Sequence, residues 1–134
     1  MVISSREYEL SDNVPALNMQ MFARQAGTTM TFQRGSIIFK EGDTGNSVYV
    51  IHSGMIEILT HDRIVDLCGS NDVIGFMSVI DGGPLTATAR VRNTADVSVL
   101  DERAFQSMIE KVPNFAYYIM RAMAHRIRGM REFI

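Results

Sequence analysis

The chain has 134 residues, with 46% hydrophobic and 21% charged residues, a net charge of -2 and a single cysteine. That is enough for one compact domain with its own core and too little for two of ordinary size, and the near-neutral balance excludes a charged disordered tail and a strongly basic nucleic-acid binder. Cys68 alone cannot form an internal disulfide, an iron–sulfur cluster or a cysteine-rich zinc site. No apolar run approaches the roughly 20 residues a membrane helix needs, and nothing at the start resembles a signal peptide, so a cytoplasmic setting without membrane contact is expected.

Residues 1–13 are polar and without period, and read as a loosely held arm. Pro15 suits the first turn of a short helix running to about Gln25, with Leu17, Met21 and Phe22 on one side and Gly27 ending it. Over residues 28–101 the pattern changes to short runs rich in Val, Ile, Thr, Phe and Tyr, separated by turn residues at regular intervals, which indicates many short antiparallel strands. Before residue 73 the expected strands are Met30 to Gln33, Ile37 to Phe39, Ser47 to His52, Met55 to Thr60 and Ile64 to Leu67. Gly42-Asp43-Thr44-Gly45-Asn46 and His61-Asp62 read as turns, and Gly54 as a hairpin pivot.

The segment from Val73 to Val91, VIGFMSVIDGGPLTATARV, is the most informative. Gly75 is a small turn opening a short apolar segment, Phe76 to Ile80, before a loop through Asp81-Gly82-Gly83-Pro84. Strands are expected at Thr86 to Arg92 and Val97 to Leu100. After them the period returns to that of helices: Asp101 is placed to cap a short helix over Glu102 to Lys111, and Pro113 precedes a longer one from Asn114 to about Met130. Residues 102–134 thus close the domain.

Two sets of residues resemble the cyclic nucleotide-binding domain family over roughly Phe32 to Arg128. One is Phe32 to Phe39 with Glu41-Gly42-Asp43 and Val48 to Gly54, which looks like the family's opening strands. The other is the cassette around Gly75 and Pro84. Phe105 to Met108 and Arg126-Ile127-Arg128 are similar to the two closing helices. The resemblance implies a mainly β fold with flanking helices: an antiparallel β-roll or jelly-roll barrel, a short N-terminal helix and two C-terminal helices. It also implies a regulatory, ligand-sensing function with a cyclic nucleotide, cyclic AMP or cyclic GMP, or another small ligand in a pocket formed by Gly75, Phe76, Met77, Ser78, Pro84, Leu85, Thr86 and Ala87.

The cassette departs from the family at both anchors. Phe76 stands where the family has the glutamate that holds the ribose hydroxyl, and Leu85 where it has the arginine that clamps the cyclic phosphate. A phosphate buried without its counter-charge is penalised by about 3 to 5 kcal/mol, roughly two to three orders of magnitude in affinity. The expectation is a degenerate cassette with weak or altered ligand binding. Alternatively, Phe76 and Leu85 fill the pocket themselves, worth roughly 3 to 6 kcal/mol of burial, leaving a protein-interaction or dimerisation module of the same fold. Arg90 and Arg92 share a face with Thr86 and Thr88 if the strand alternates, so they either turn a guanidinium inward as a substitute or remain solvated.

Phe115, Ile119, Met123, Ile127, Met130 and Ile134 form one apolar stripe on the last helix, with Ala116, Met120 and Ala124 beside it. This face is wider than packing on a barrel requires, so a homodimer through the C-terminal helix is expected, with a protein partner as the other outlet. Arg121, His125, Arg128 and Arg131 make a third, basic stripe that reads as solvated. Regulators that resemble this domain continue into a helix-turn-helix module, whereas this sequence stops at the helix, so no direct DNA binding is expected. No enzyme is expected either. His52, His61 and His125 share no metal-ligand spacing, His52, His61 and Cys68 are more simply strand or turn residues than haem ligands, and no nucleophilic triad or Gly-Lys-Ser/Thr phosphate loop is present.

Overall fold

The computed structural model describes residues 2–3 and 16–132. In chain order the elements are β1 (Val2–Ile3), α1 (Ala16–Ala26), β2 (Thr28–Phe32), β3 (Ile37–Phe39), β4 (Ser47–Thr60), β5 (Arg63–Cys68), β6 (Val73–Ile74), α2 (Phe76–Asp81), β7 (Thr88–Asp101), α3 (Glu102–Lys111) and α4 (Phe115–Glu132). The expected β-roll with a short leading helix and two closing helices is what forms. Val2–Ile3, within the stretch read as a loose arm, pairs with β6, while residues 4–13 of that arm lie outside the described residues.

Two 14-residue strands, β4 and β7, form the spine. They run antiparallel along their length, with Ser47 opposite Asp101 at one end and Leu59 opposite Thr88 at the other. On the far side of β4, its first half pairs with β6 and its second half with β5. Beside β7, β3 and β2 pair with the first and second halves. Every ladder is antiparallel.

Gly54 is not the hairpin pivot that alternation on both sides of it predicts. It sits inside β4 at φ 93°, where the β4–β7 register shifts, and a Cβ there would lie 2.4 Å from the Thr94 carbonyl oxygen and 2.6 Å from Ala95 Cα. The glycine lets β4 bend against β7 without breaking the ladder, so two expected strands become one. The two β7 runs, separately predicted, merge likewise. His61 and Asp62 do form the expected turn, a two-residue link between β4 and β5 with both φ values positive, at 51° and 63°.

Strand alternation divides the apolar residues between two cores. Ile51, Ile56, Cys68, Ile74, Ala89, Val91 and Val97 pack inside the roll. Val48, Val50, Val73 and Leu100 point to the opposite face and meet Met19, Phe105, Met108 and Phe115 from the helices. Burial in α1 falls on Met19 and Ala23 with Phe22 beside them, whereas Met21 is exposed and Leu17's side chain lies outside the description, so the stripe expected on this helix is rotated. Asp101 caps α3 as expected, accepting from the Ala104 amide at 2.8 Å. Phe105 and Phe115 then meet edge to face at 6.2 Å, which fastens α3 to α4.

On α4, Phe115, Tyr118 and Ile119 are buried and Met123 is half-buried, while Tyr117, Met120 and Ala124 are exposed. The apolar surface therefore does exceed what this contact covers. Arg121 and Arg128 face solvent; the side chains of His125, Ile127, Met130, Arg131 and Ile134 lie outside the description.

Candidate functional site

The cassette is built around two left-handed glycines. Gly75, at φ 82°, precedes α2, and Gly82, at φ 73°, ends it by donating to the Ser78 carbonyl at 2.9 Å. A side chain at Gly75 would meet the Ser47 carbonyl oxygen and the Tyr49 ring, both at 3.2 Å, so this position needs a glycine for its angle and its space. The Asp81 carboxylate accepts from the Gly83 amide at 2.8 Å and shapes the loop into Pro84.

The turn cluster of residues 42–46 is laced to the end of this loop. Leu85 donates its amide to the Asp43 carbonyl and accepts the Gly42 amide, each at 2.8 Å, and Thr44 bridges to Pro84. Gly45 is pressed against α2, where an added Cβ would lie 2.5 Å from Ser78 Cβ. Between this turn and β3 and β4 lies a cavity of about 300 Å³. Ile38, Phe39, Tyr49 and Leu85 form its apolar walls, and Asp43, Thr44, Asn46 and Ser47 its polar edge. The rings of Phe39 and Tyr49 are 5.4 Å apart and tilted by 34°. Burial raises the Tyr49 phenol's pKa, partly opposed by its hydrogen bond with Ser47.

The expected pocket residues separate. Phe76 is fully buried in the helix-side core, packed with Val48, Val50 and Phe115 rather than in the mouth of the roll, and Met77 packs partly against the same core. Ala87 is buried inside the roll, Pro84 and Thr86 are exposed, and Gly75 is buried. Ser78 faces a larger open groove, of about 950 Å³, bounded by α2 and the start of α3. Of the eight, Leu85 lines the mouth cavity. No local motif marks Phe39, Ser47 or Tyr49 as site residues; the one sequence signal is strand alternation, which turns Phe39 and Tyr49 towards the interior of the roll.

Neither arginine after the cassette enters the roll. Ala89 and Val91 point inward, so Arg90 and Arg92 point outward, Arg92 exposed and Arg90 Nε 3.0 Å from Glu57 Oε1. Among the described residues, no group of three His, Cys, Asp or Glu side chains is placed to hold a metal ion, and no helix is long and apolar enough to cross a membrane.

Comparison with known proteins places this geometry. The chain is 29% identical over 102 residues to the CRP-like cAMP-activated global transcriptional regulator of Mycobacterium tuberculosis, covering 72% of this chain and 46% of that protein. It is 29% identical over 107 residues to the fumarate and nitrate reduction regulatory protein of Escherichia coli strain K12, covering 76% of this chain and 42% of that one. The chain thus spans about half the length of the curated relatives it matches. The crystal structure of Thermus thermophilus catabolite activator protein superposes with a TM-score of 0.75 at 24% identity, over 85% of this chain and 56% of that one. Residues 29–112 match the family model described as the cyclic nucleotide-binding domain, which runs from the second residue of β2 through β7 and all of α3. The chain belongs to the cyclic nucleotide-binding domain family.

Proposed function

We propose that this chain is a non-enzymatic ligand-sensing domain whose cassette binds cyclic AMP and cyclic GMP weakly, and whose output passes through α4 to a second copy of the chain. The observation that carries this reading is the cavity at the mouth of the roll, beside Leu85 and free of the Phe76 side chain. A relative activated by cyclic AMP supports a nucleotide-like occupant, while the absence of a cation along the cavity weakens the hold on a phosphate. The pocket-filling alternative is disfavoured, because Phe76 contributes to the helix-side core and does not occupy the cavity.

Isothermal titration of cyclic AMP and cyclic GMP into the unmodified chain and into Leu85→Arg tests the reading. A charge-assisted contact contributes about 1.5 to 3 kcal/mol, so the variant should bind at least roughly tenfold more tightly. A folded variant with no gain would remove the cavity beside Leu85 as the ligand site.

A further inference from the structure

We infer that the mouth cavity selects an uncharged aromatic heterocycle, a nucleobase or nucleoside without a phosphate, over a cyclic nucleotide. This rests on the cavity beside Leu85 being the ligand site and concerns which chemistry it accepts. The single charged side chain among the residues lining it is Asp43, an acid. The two cations on the following strand are unavailable, since Arg90 is held on the outer face by Glu57 and Arg92 lies exposed on that same face. The Leu85 amide, which lies at the cavity edge, is already donated to the Asp43 carbonyl. A monoanionic phosphate entering here would shed water beside a carboxylate and gain no counter-charge.

The rest of the lining suits a neutral ring. Phe39 and Tyr49 offer aromatic surface, Ile38 and Leu85 offer aliphatic surface, and the polar edge carries hydroxyl and amide groups from Thr44, Ser47 and Asn46 that donate and accept without charge. At about 300 Å³ the cavity lies at the small end of ligand pockets. Aromatic and aliphatic walls beside neutral polar groups, in a lining whose accessible surface is mainly polar, suit a planar base with hydrogen-bonding edges.

The test is calorimetric titration of the full chain with adenine, adenosine, guanine and guanosine beside cyclic AMP and cyclic GMP. At least one base or nucleoside should bind tenfold or more tightly than its cyclic monophosphate. Asp43→Asn, a change of an exposed side chain that leaves the main-chain bonds of the turn intact, should narrow the preference for the nucleoside over its cyclic monophosphate a few-fold. Equal or tighter binding of the cyclic monophosphates, or no saturation by any base or nucleoside at millimolar concentration, overturns the inference. If Leu85→Arg gains cyclic AMP binding while no nucleoside binds the unmodified chain, the site stands and the ligand class fails. If neither occurs, the site assignment fails with it.

Discussion

Replacing Phe76 by glutamate puts back the side chain that the family carries at this position, and it should damage the fold rather than rebuild the site. Phe76 is 0% exposed and packs among Val48, Val50, Val73, Leu100 and Phe115. Removing a fully buried phenyl group costs about 3 to 5 kcal/mol from lost transfer energy and the cavity left behind. A carboxylate in the same space adds a desolvation cost and finds no cation among the core residues around it. Its pKa would rise, so the ionised form is the more destabilising and the loss should grow as pH increases from 5 to 8. Against a total stability of roughly 5 to 15 kcal/mol for a domain of this kind, Phe76→Glu should be marginally folded near neutral pH. Urea denaturation followed by circular dichroism at several pH values measures this. A loss below about 1 kcal/mol, independent of pH, would show that residue 76 faces solvent or the cavity and would refute its placement in the core.

Gly54→Ala combines a left-handed φ with a clash on the β7 backbone and should cost about 2 to 5 kcal/mol, whereas Gly35→Ala, at φ 88° with nothing within 4 Å, should cost about 1 to 2. Thermal denaturation of the two variants checks this, and equal losses would mean that the contact with Thr94 and Ala95 is not what fixes the bend. His52 is a buried residue of β4, with Nε2 2.6 Å from Ser98 Oγ on β7; its pKa is lowered by burial first and then by Arg24, with Asp96 acting in the opposite direction. Its contribution to stability should be complete above about pH 6.5, where the unfolded imidazole is neutral, and should fall as pH drops from there towards the lowered folded value. His52→Asn should flatten the stability profile between pH 7.5 and 5.5, and an unchanged slope would contradict the assignment. Tyr117 and Met120 are 54% and 57% exposed on α4, so light scattering should give a dimer at micromolar concentration and Met120→Glu should shift it to monomer. A monomeric unmodified chain at tens of micromolar would refute this.

The strand content and the closing helices were legible because period and punctuation agree there: Asp101 caps α3, His61-Asp62 makes a two-residue turn, and Pro113 stands between the two helices. The bend at Gly54 is not legible in the sequence, because a glycine between two alternating runs marks a hairpin or a bend equally well, and only the pairing partner decides. In this fold β7 runs past it on the other side. The cassette was located by its glycines, but the direction of Phe76 was not legible. A one-turn helix entered through a left-handed residue can present its first side chain to either core. The cavity walls Phe39 and Tyr49 come from strands distant from the cassette in sequence, so no local motif announces them.

A roll that keeps a ligand cavity without a hold on a phosphate is tested most directly by calorimetric titration of cyclic AMP into the unmodified chain. Without the arginine and the glutamate, the expected result is no saturable binding at micromolar concentration, a loss of roughly two to three orders of magnitude relative to an anchored cassette. Saturable binding with a Kd in the low micromolar range or tighter would contradict it, and would require a cationic or amide contact to the phosphate that lies outside the cavity walls described above.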